Sequence, residues 1–368
     1  MKKSLLAAAA CGAMSAPFHA AVSAGDFGEP RVAVEPPRDP ALCHLAWPKL
    51  VRLPDGTMVL SCVAAARHSG GRGRVAVAVS ADDGGTFSPP AFPPDPPGAE
   101  PWTDRGNNAM GVAPDGAVLL FGMAFAGTTA NGILGWRSAD AGRSWEAVDT
   151  GAISFNRTGS VFGHILDLPG RGLAVFGHTR PPDRPKGGLW TALSRDGGRT
   201  WGPPSDICGR RELYEPDVAL ADGRLVLLAR DDAAAGYQQF TSDDLGGTWN
   251  GPELVMGDGG AVHGHPSPCI LADPAKPGRL LALQTRRFHW LDRTRGRGEI
   301  NLWTAGAATL EWRKLGCLAT LDKVEDYGYP ALVPLGDGRW YAVFYAGALS
   351  GPSAIWSVTF TLDEEPEE

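Results

Sequence analysis

After its first two dozen residues this 368-residue chain has no run long and apolar enough to cross a bilayer, and nowhere do Lys and Arg gather into a basic stripe. With a net charge of −7, nucleic acid and a membrane span are not expected partners, and an acidic small ligand would need a local cluster of Arg or Lys. No C-x-x-C pair occurs, so a zinc ribbon or thiol redox motif has no residues to build it. G-x-x-x-x-G-K-[ST] and a well-placed G-x-G-x-x-G are missing, which removes the phosphate-cradling loops. His263-Gly-His265 has metal-like alternation but no evident third ligand, and neither a metal nor a cofactor is expected. Windows free of Gly and Pro are scarce, since the chain holds 49 Gly and 31 Pro, and this excludes long helices. Disorder is excluded in turn by 43% hydrophobic residues and 12 Trp. What remains is a folded, turn-rich protein.

The leading residues read as an export signal. Lys2 and Lys3 form a positive start, Leu5 to Ala10 begins a short apolar stretch, and Val22-Ser23-Ala24 fits a small-residue cleavage site. Residues 1–24 are therefore expected to be removed, placing the protein in the periplasm or outside the cell. Cys43, Cys62, Cys208, Cys269 and Cys317 then remain, an odd number at wide spacings, which allows one disulfide and assigns none.

The strongest feature is an internal repeat. Four segments share Ser-x-Asp-x-Gly-x-Thr/Ser-Trp/Phe, centred on Asp82, Asp140, Asp196 and Asp244, with a decayed copy over Thr304 to Trp312. The Asp can accept bonds from backbone N–H groups two or three residues on, and the Gly can take positive φ, so the segment reads as a hairpin turn with a structural carboxylate. A second repeat interleaves with it: apolar runs broken by Asp55-Gly56, Asp115-Gly116, Pro169-Gly170, Asp222-Gly223, Pro277-Gly278 and Asp337-Gly338. These turn glycines recur every 53 to 60 residues. Six units with two hairpins each predict an all-β fold, a six-bladed β-propeller of four-stranded blades with Asp-box hairpins. Residues 44–362 form that single domain, residues 25–43 an N-terminal segment and residues 363–368 an acidic tail.

In such a ring the start of each first strand and the end of each second strand meet at one face, around a central funnel. The strand ends bring there His178, Arg230, Arg286 and Tyr345, and the strand starts bring Trp47-Pro48-Lys49, Asn107-Asn108, His164, Tyr214-Glu215, His263-Gly-His265 and Asp326-Tyr-Gly-Tyr329. Two Arg at the same place in neighbouring units suit a carboxylate; each could instead be solvated or paired with a nearby Asp.

With its Asp boxes and these segments, the chain over residues 44–362 resembles the sialidase (neuraminidase) superfamily of Asp-box propellers. The resemblance implies a Tyr nucleophile activated by a Glu, an Asp acid and three Arg that hold the substrate carboxylate. Tyr329-Pro-Ala-Leu looks like the Tyr segment, Glu215-Pro-Asp-Val like the Glu segment, and Arg230 and Arg286 stand where two of the Arg would be. Two positions depart from the pattern. Leu45-Ala46-Trp47-Pro48 replaces Phe-Arg-Ile-Pro, so the first Arg is missing; Lys49 or His44 could supply its charge. The segment that should carry the acid is Ala66-Arg67-His68-Ser69, with no carboxylate, which leaves His68 or Asp104 as the donor. Arg67 and Asp326 join Lys49 as candidate substrate contacts.

The function expected is hydrolysis of a terminal sialic-acid-like or other acidic sugar on a glycan or glycoconjugate, with Tyr329, Glu215 and His68 catalytic. Two alternatives share the scaffold: a hydrolase or lyase for uronic-acid glycans, and a glycan-binding propeller without turnover in which Trp47, Tyr214 and Trp290 stack on sugars.

Overall fold

The computed structural model describes residues 18–21, 26–99, 102–127, 130–154, 159–179, 188–209, 211–257, 264–276, 278–287 and 297–362. Most of residues 1–24, together with His263, Pro277, Trp290 and residues 363–368, lie outside them. The regular elements among the described residues are all β-strands, and no helix there is long and apolar enough to cross a membrane.

The strands form successive antiparallel groups in chain order. The first comprises His44–Arg52, Met58–Ala65 and Arg74–Ser80. The second is built on Asp104–Val112, Val118–Ala126 and Ala130–Ser138, and the third on Gly163–Leu168, Gly172–Thr179 and Gly188–Ser194. Leu213–Ala221, Arg224–Asp231, Tyr237–Ser242 and Asn250–Val255 make a four-stranded sheet. Cys269–Ala272, Arg279–Arg287, Arg297–Gly306 and Arg313–Asp322 follow, and then Asp326–Gly336, Arg339–Gly347 and Ser353–Thr361. This last group takes its outer strand from the other end of the chain. Arg31–Val34 pairs antiparallel with Ser353–Thr361, so the segment 25–43 is part of a sheet. A short strand, Phe18–Ala21, pairs with the edge at Arg313–Asp322.

Both repeated turns have a local cause. At Asp55-Gly56 the Asp carboxylate accepts the Thr57 N–H at 2.9 Å, and Gly56 takes φ +88°, which a side chain would oppose. In the Asp boxes one carboxylate ties the whole turn: Asp82 accepts Ser80 Oγ, Thr86 N and Thr86 Oγ1, each at 2.8 Å. The same three bonds recur around Asp140, Asp196 and Asp244. They hold all four carboxyls down at about 2.

The hydrophobic side chains fall into six clusters, and each is shared by two groups. Val59 with Leu120 joins the first and second groups, Phe121 with Trp190 the second and third, and Phe176 with Leu227 the third and fourth. Leu228 with Leu280 joins the fourth and fifth, and Leu302 with Phe344 the fifth and sixth. The remaining cluster packs Leu60 of the first group against Tyr341 and Val343 of the last. Tyr341 also lies on the first Asp box, donating its hydroxyl to the Gly84 carbonyl at 3.1 Å.

One irregularity recurs in the leading strands. Between Ala46 and Lys49, Arg105 and Asn108, Tyr214 and Asp217, and Gly328 and Ala331, two residues oppose one on the partner strand. Three of these bulges hold a non-glycine residue at positive φ: Trp47 at 57°, Glu215 at 53° and Tyr329 at 54°. Each is followed by proline (Pro48, Pro216, Pro330). Bulges re-aim side chains, and positive φ in such residues is a strained conformation that clusters at functional sites.

Candidate functional site

Two of those re-aimed residues meet. The Tyr329 hydroxyl donates to Glu215 Oε1 at 2.7 Å, with both side chains buried. Around the same carboxylate, Asn107 Nδ2 donates to Oε1 at 3.3 Å, Arg230 Nη1 to Oε2 at 3.3 Å and the Ser267 N–H to Oε2 at 3.2 Å. His178 Nδ1 accepts the Glu215 N–H at 3.0 Å and so helps to hold the bulge. Burial pushes the Tyr329 phenol far up, and the Glu215 charge adds to it, while Arg230 and Arg287 act in the opposite direction. The phenol therefore keeps its proton at rest, directed at a carboxylate able to accept it.

The second part of the site lies on the other side of Trp47. Its ring stands edge-on to His68 at 5.3 Å and to Tyr329 at 6.3 Å between centroids. Asp326, three residues before Tyr329 on the same strand, is buried. Its Oδ2 lies 2.6 Å from His68 Nδ1 and 3.3 Å from His44 Nε2, and its Oδ1 accepts the Tyr345 hydroxyl at 2.9 Å. Burial acts to raise the Asp326 carboxyl, but the adjacent His44 and His68 imidazoles and the charge of Arg287 prevail and hold it well below the usual range.

The other expected site residues are distributed as follows. Arg230 is mostly buried, engaged by Glu215 and, through Nε, by Asp232 at 2.6 Å. Arg286 turns to Glu299 on the neighbouring strand at 3.8 Å. Its neighbour Arg287 faces the site instead, bonding the Tyr327 carbonyl and lying 3.9 Å from Asp326 Oδ1. Along a strand, adjacent residues point to opposite faces, and a one-residue slip in alignment exchanges them. Lys49 does not line the open side; it is 5% exposed, its Nζ 3.7 Å from the Phe162 ring centre. Burial lowers its amine to about 8 against the attraction of Asp217, Cys269 and Glu215. Arg67 is exposed and donates to the Ser69 and Gly70 carbonyls of its own loop. Asp104 accepts the Gly73 and Arg105 N–H groups at 2.6 and 2.9 Å, a loop anchor on both counts. Tyr214 stacks edge-on to His178 at 5.4 Å.

Asn107, Asp232, Arg287, Trp47 and the His44–Tyr345 flank of Asp326 complete the site. The X-Pro pairs at 47, 215 and 329 mark the strained bulges, a signal present in the sequence. Two clusters could in principle hold a metal among the described residues: His44, His68 and Asp326, and His164, Asp217 and Cys269. In the second, Asp217 already accepts His164 N and Nδ1 and the Val218 and Ile270 N–H groups, all at 2.8 to 3.1 Å, and so ties neighbouring strands together. In the first, the 2.6 Å contact is a hydrogen bond, shorter than the roughly 3.3 Å between ligands of one tetrahedral zinc. The five described cysteines are free thiols, four of them buried.

The class of protein is an all-β chain of successive antiparallel groups, with a Tyr–Glu pair at two re-aimed bulges and an Asp–His pair beside it. The chain belongs to the BNR repeat-like domain family, which matches residues 97–342. No curated protein matches it. Among solved structures, a protein of unknown function from Dyadobacter fermentans is similar at 18% identity, with 91% of this chain and 99% of that one covered and a TM-score of 0.69. The NanB sialidase from Streptococcus pneumoniae is similar at 12% identity, covering 90% of this chain and 70% of that one, TM-score 0.65. A Trypanosoma rangeli sialidase matches at 15% identity and TM-score 0.64, covering 86% of this chain and 55% of that one. At these identities the likeness is one of fold.

Proposed function

We propose that the protein is a glycosidase of the sialidase type, in which Tyr329 attacks the anomeric carbon of a terminal acidic sugar and Glu215 takes the phenol proton. The observation that carries the reading is the 2.7 Å bond between the Tyr329 hydroxyl and Glu215, both at strained bulges. A neutral Tyr is a weak nucleophile until a base removes its proton, and it brings no charge against an anionic substrate. Arg230 and Arg287 are the cations placed to meet a carboxylate; with Ala46 at the position where a third Arg would stand, the clasp has two forks. His68 is the proton donor to the leaving group. The scaffold is a six-bladed propeller, supported by six cores each shared between consecutive groups, the last joined to the first. Export through residues 1–24 places it in the periplasm or outside the cell.

Release of fluorophore from an aryl α-sialoside by residues 25–368 tests the reading. Turnover is expected, together with a loss on the order of 10³-fold or more in Tyr329→Phe at unchanged thermal stability. A Tyr329→Phe variant as fast as wild type would sink it. A glycan-binding role without turnover is favoured by one feature, the engagement of Arg230 by Glu215 and Asp232, and predicts glycan-array binding unchanged in that variant.

A further inference from the structure

We propose that Asp326 is a positioning residue for His68, and that the two form a dyad delivering a proton to the leaving group and recovering it from water. This rests on the Tyr329–Glu215 reading and adds a second proton path on the far side of Trp47.

The assignment follows from hydrogen-bond bookkeeping. The Gly351 carbonyl, 3.1 Å from His44 Nδ1, can only accept, so His44 carries a proton on Nδ1. Tyr345 donates to Oδ1 of Asp326, which leaves Oδ2 for the imidazoles. His68 Nδ1 takes that place at 2.6 Å and must donate to it, whereas His44 Nε2 at 3.3 Å makes no hydrogen bond of good geometry. The His68 ring is thus fixed with Nδ1–H on Asp326, and any proton it exchanges passes through Nε2. The His68 side chain keeps a quarter of its surface open, against 1% for Asp326 and His44. Its loop is pinned at the far end by the His68 N–H on the Leu349 carbonyl at 3.2 Å. The charged and titratable groups facing this pair are His44, Tyr345 and Arg287, the last 3.9 Å from Oδ1. A nearby buried carboxylate stabilises an imidazolium, which is the form an acid must take.

The steps balance. As the Tyr329 oxygen bonds to the anomeric carbon, its proton passes to Glu215, the glycosidic C–O bond breaks, and the proton on His68 Nε2 goes to the departing oxygen. Water then attacks the same carbon and yields a proton to Nε2, and Tyr329 leaves and regains its proton from Glu215. His68 and Asp326 end as they began.

The experiment compares 4-nitrophenyl and methyl α-sialosides on wild type, His68→Ala, Asp326→Asn, Asp326→Glu and Tyr329→Phe. Nitrophenolate leaves without help, while methoxide needs a proton, so an acid is worth about 10²–10⁴-fold on the second substrate only. His68→Ala and Asp326→Asn are expected to lose at least tenfold more rate on the methyl than on the nitrophenyl substrate, with Asp326→Glu recovering part of it. Tyr329→Phe is expected to lose both equally. Equal losses on both substrates in the Asp326 and His68 variants would overturn the dyad while leaving the nucleophile standing. Failure of Tyr329→Phe to lose rate would overturn the underlying reading. Imidazole NMR tests the dyad without turnover: His68 is expected to carry a proton on Nδ1 whose resonance lies far downfield, as a short bond to a carboxylate requires, and to lose that downfield position in Asp326→Asn. An unmoved Nδ1 proton resonance, or stoichiometric zinc bound by His44, His68 and Asp326, would overturn it in either case.

Discussion

Replacing Lys49 by methionine should make the protein more stable at neutral pH, with a pH dependence that identifies the cause. The amine is 5% exposed, packed on Phe162, and its pKa falls from 10.5 to about 8 because burial disfavours the charge more than Asp217, Cys269 and Glu215 favour it. A folded-state pKa below the unfolded value means that, between the two, the unfolded chain binds the extra proton. Stability of the wild type therefore rises with pH across that window. The difference from 10.5 to about 8 corresponds to about 3 kcal/mol, present as a penalty below pH 8 and relieved by pH 10.5. Methionine keeps the length of the side chain without the charge. Guanidinium unfolding of both proteins at half-unit pH steps from 7 to 11 gives the difference, in which other titrating groups cancel. The advantage of Lys49→Met should shrink by about 3 kcal/mol between pH 8 and 10.5. A pH-independent difference, or one that grows toward alkaline pH, would refute the reasoning and show Lys49 to be stabilised by its anionic neighbours.

Other outcomes can be checked alongside. Gly84 and Gly116 both take positive φ, but a Cβ on Gly84 would lie 2.5 Å from the Tyr341 ring, whereas Gly116 has open space. Gly116→Ala should cost about 1–2 kcal/mol from the backbone alone and Gly84→Ala about 1–3 kcal/mol more, read from denaturant midpoints; equal costs would deny the packing of the first Asp box on the last group. Arg287→Ala should lower kcat/KM on an aryl α-sialoside by about 10- to 100-fold, and Arg286→Ala by far less, since only the first faces Tyr329 and Asp326; the reverse order would restore the sequence assignment. The Asp-box carboxyls at about 2 lie below their ordinary 3.8, so their contribution is full above pH 3.8 and is lost as pH falls through 2. In Asp196→Asn, acid unfolding followed by Trp fluorescence should converge with wild type over that interval, and curves that stay parallel would contradict it.

The turns were legible in the sequence because their causes are local: an Asp and a Gly within five residues specify the Asp-box hairpin, and the six turn glycines give the repeat. The all-β class follows from them. Tyr329 and Glu215 were readable as a pair only by resemblance; the strained bulges that join them depend on the register between strands far apart in sequence. Arg287 shows the limit most plainly. One position of slip in an alignment separates it from Arg286, and only the strand pairing decides which guanidinium faces the site. Lys49 failed as a surface contact for a related reason, since nothing local tells a rim lysine from one two residues past a bulge. The capture of Arg31–Val34 by the final sheet likewise depends on where the two ends meet.

The proline that follows Trp47, Glu215 and Tyr329 separates two jobs that most active sites entangle. The bulge itself is set by strand pairing, since it recurs at Arg105–Asn108 without a proline, and the ring fixes the backbone of the residue that follows the re-aimed side chain. Each such position then works as a socket at a fixed place in its leading strand, and one codon sets the side chain presented there. A tryptophan in the first socket, a glutamate in the second and a tyrosine in the third are the mark of that freedom. New substrate preferences in this scaffold would be sought first by exchanging residue 47, with Pro48 and the Tyr329–Glu215 pair left in place.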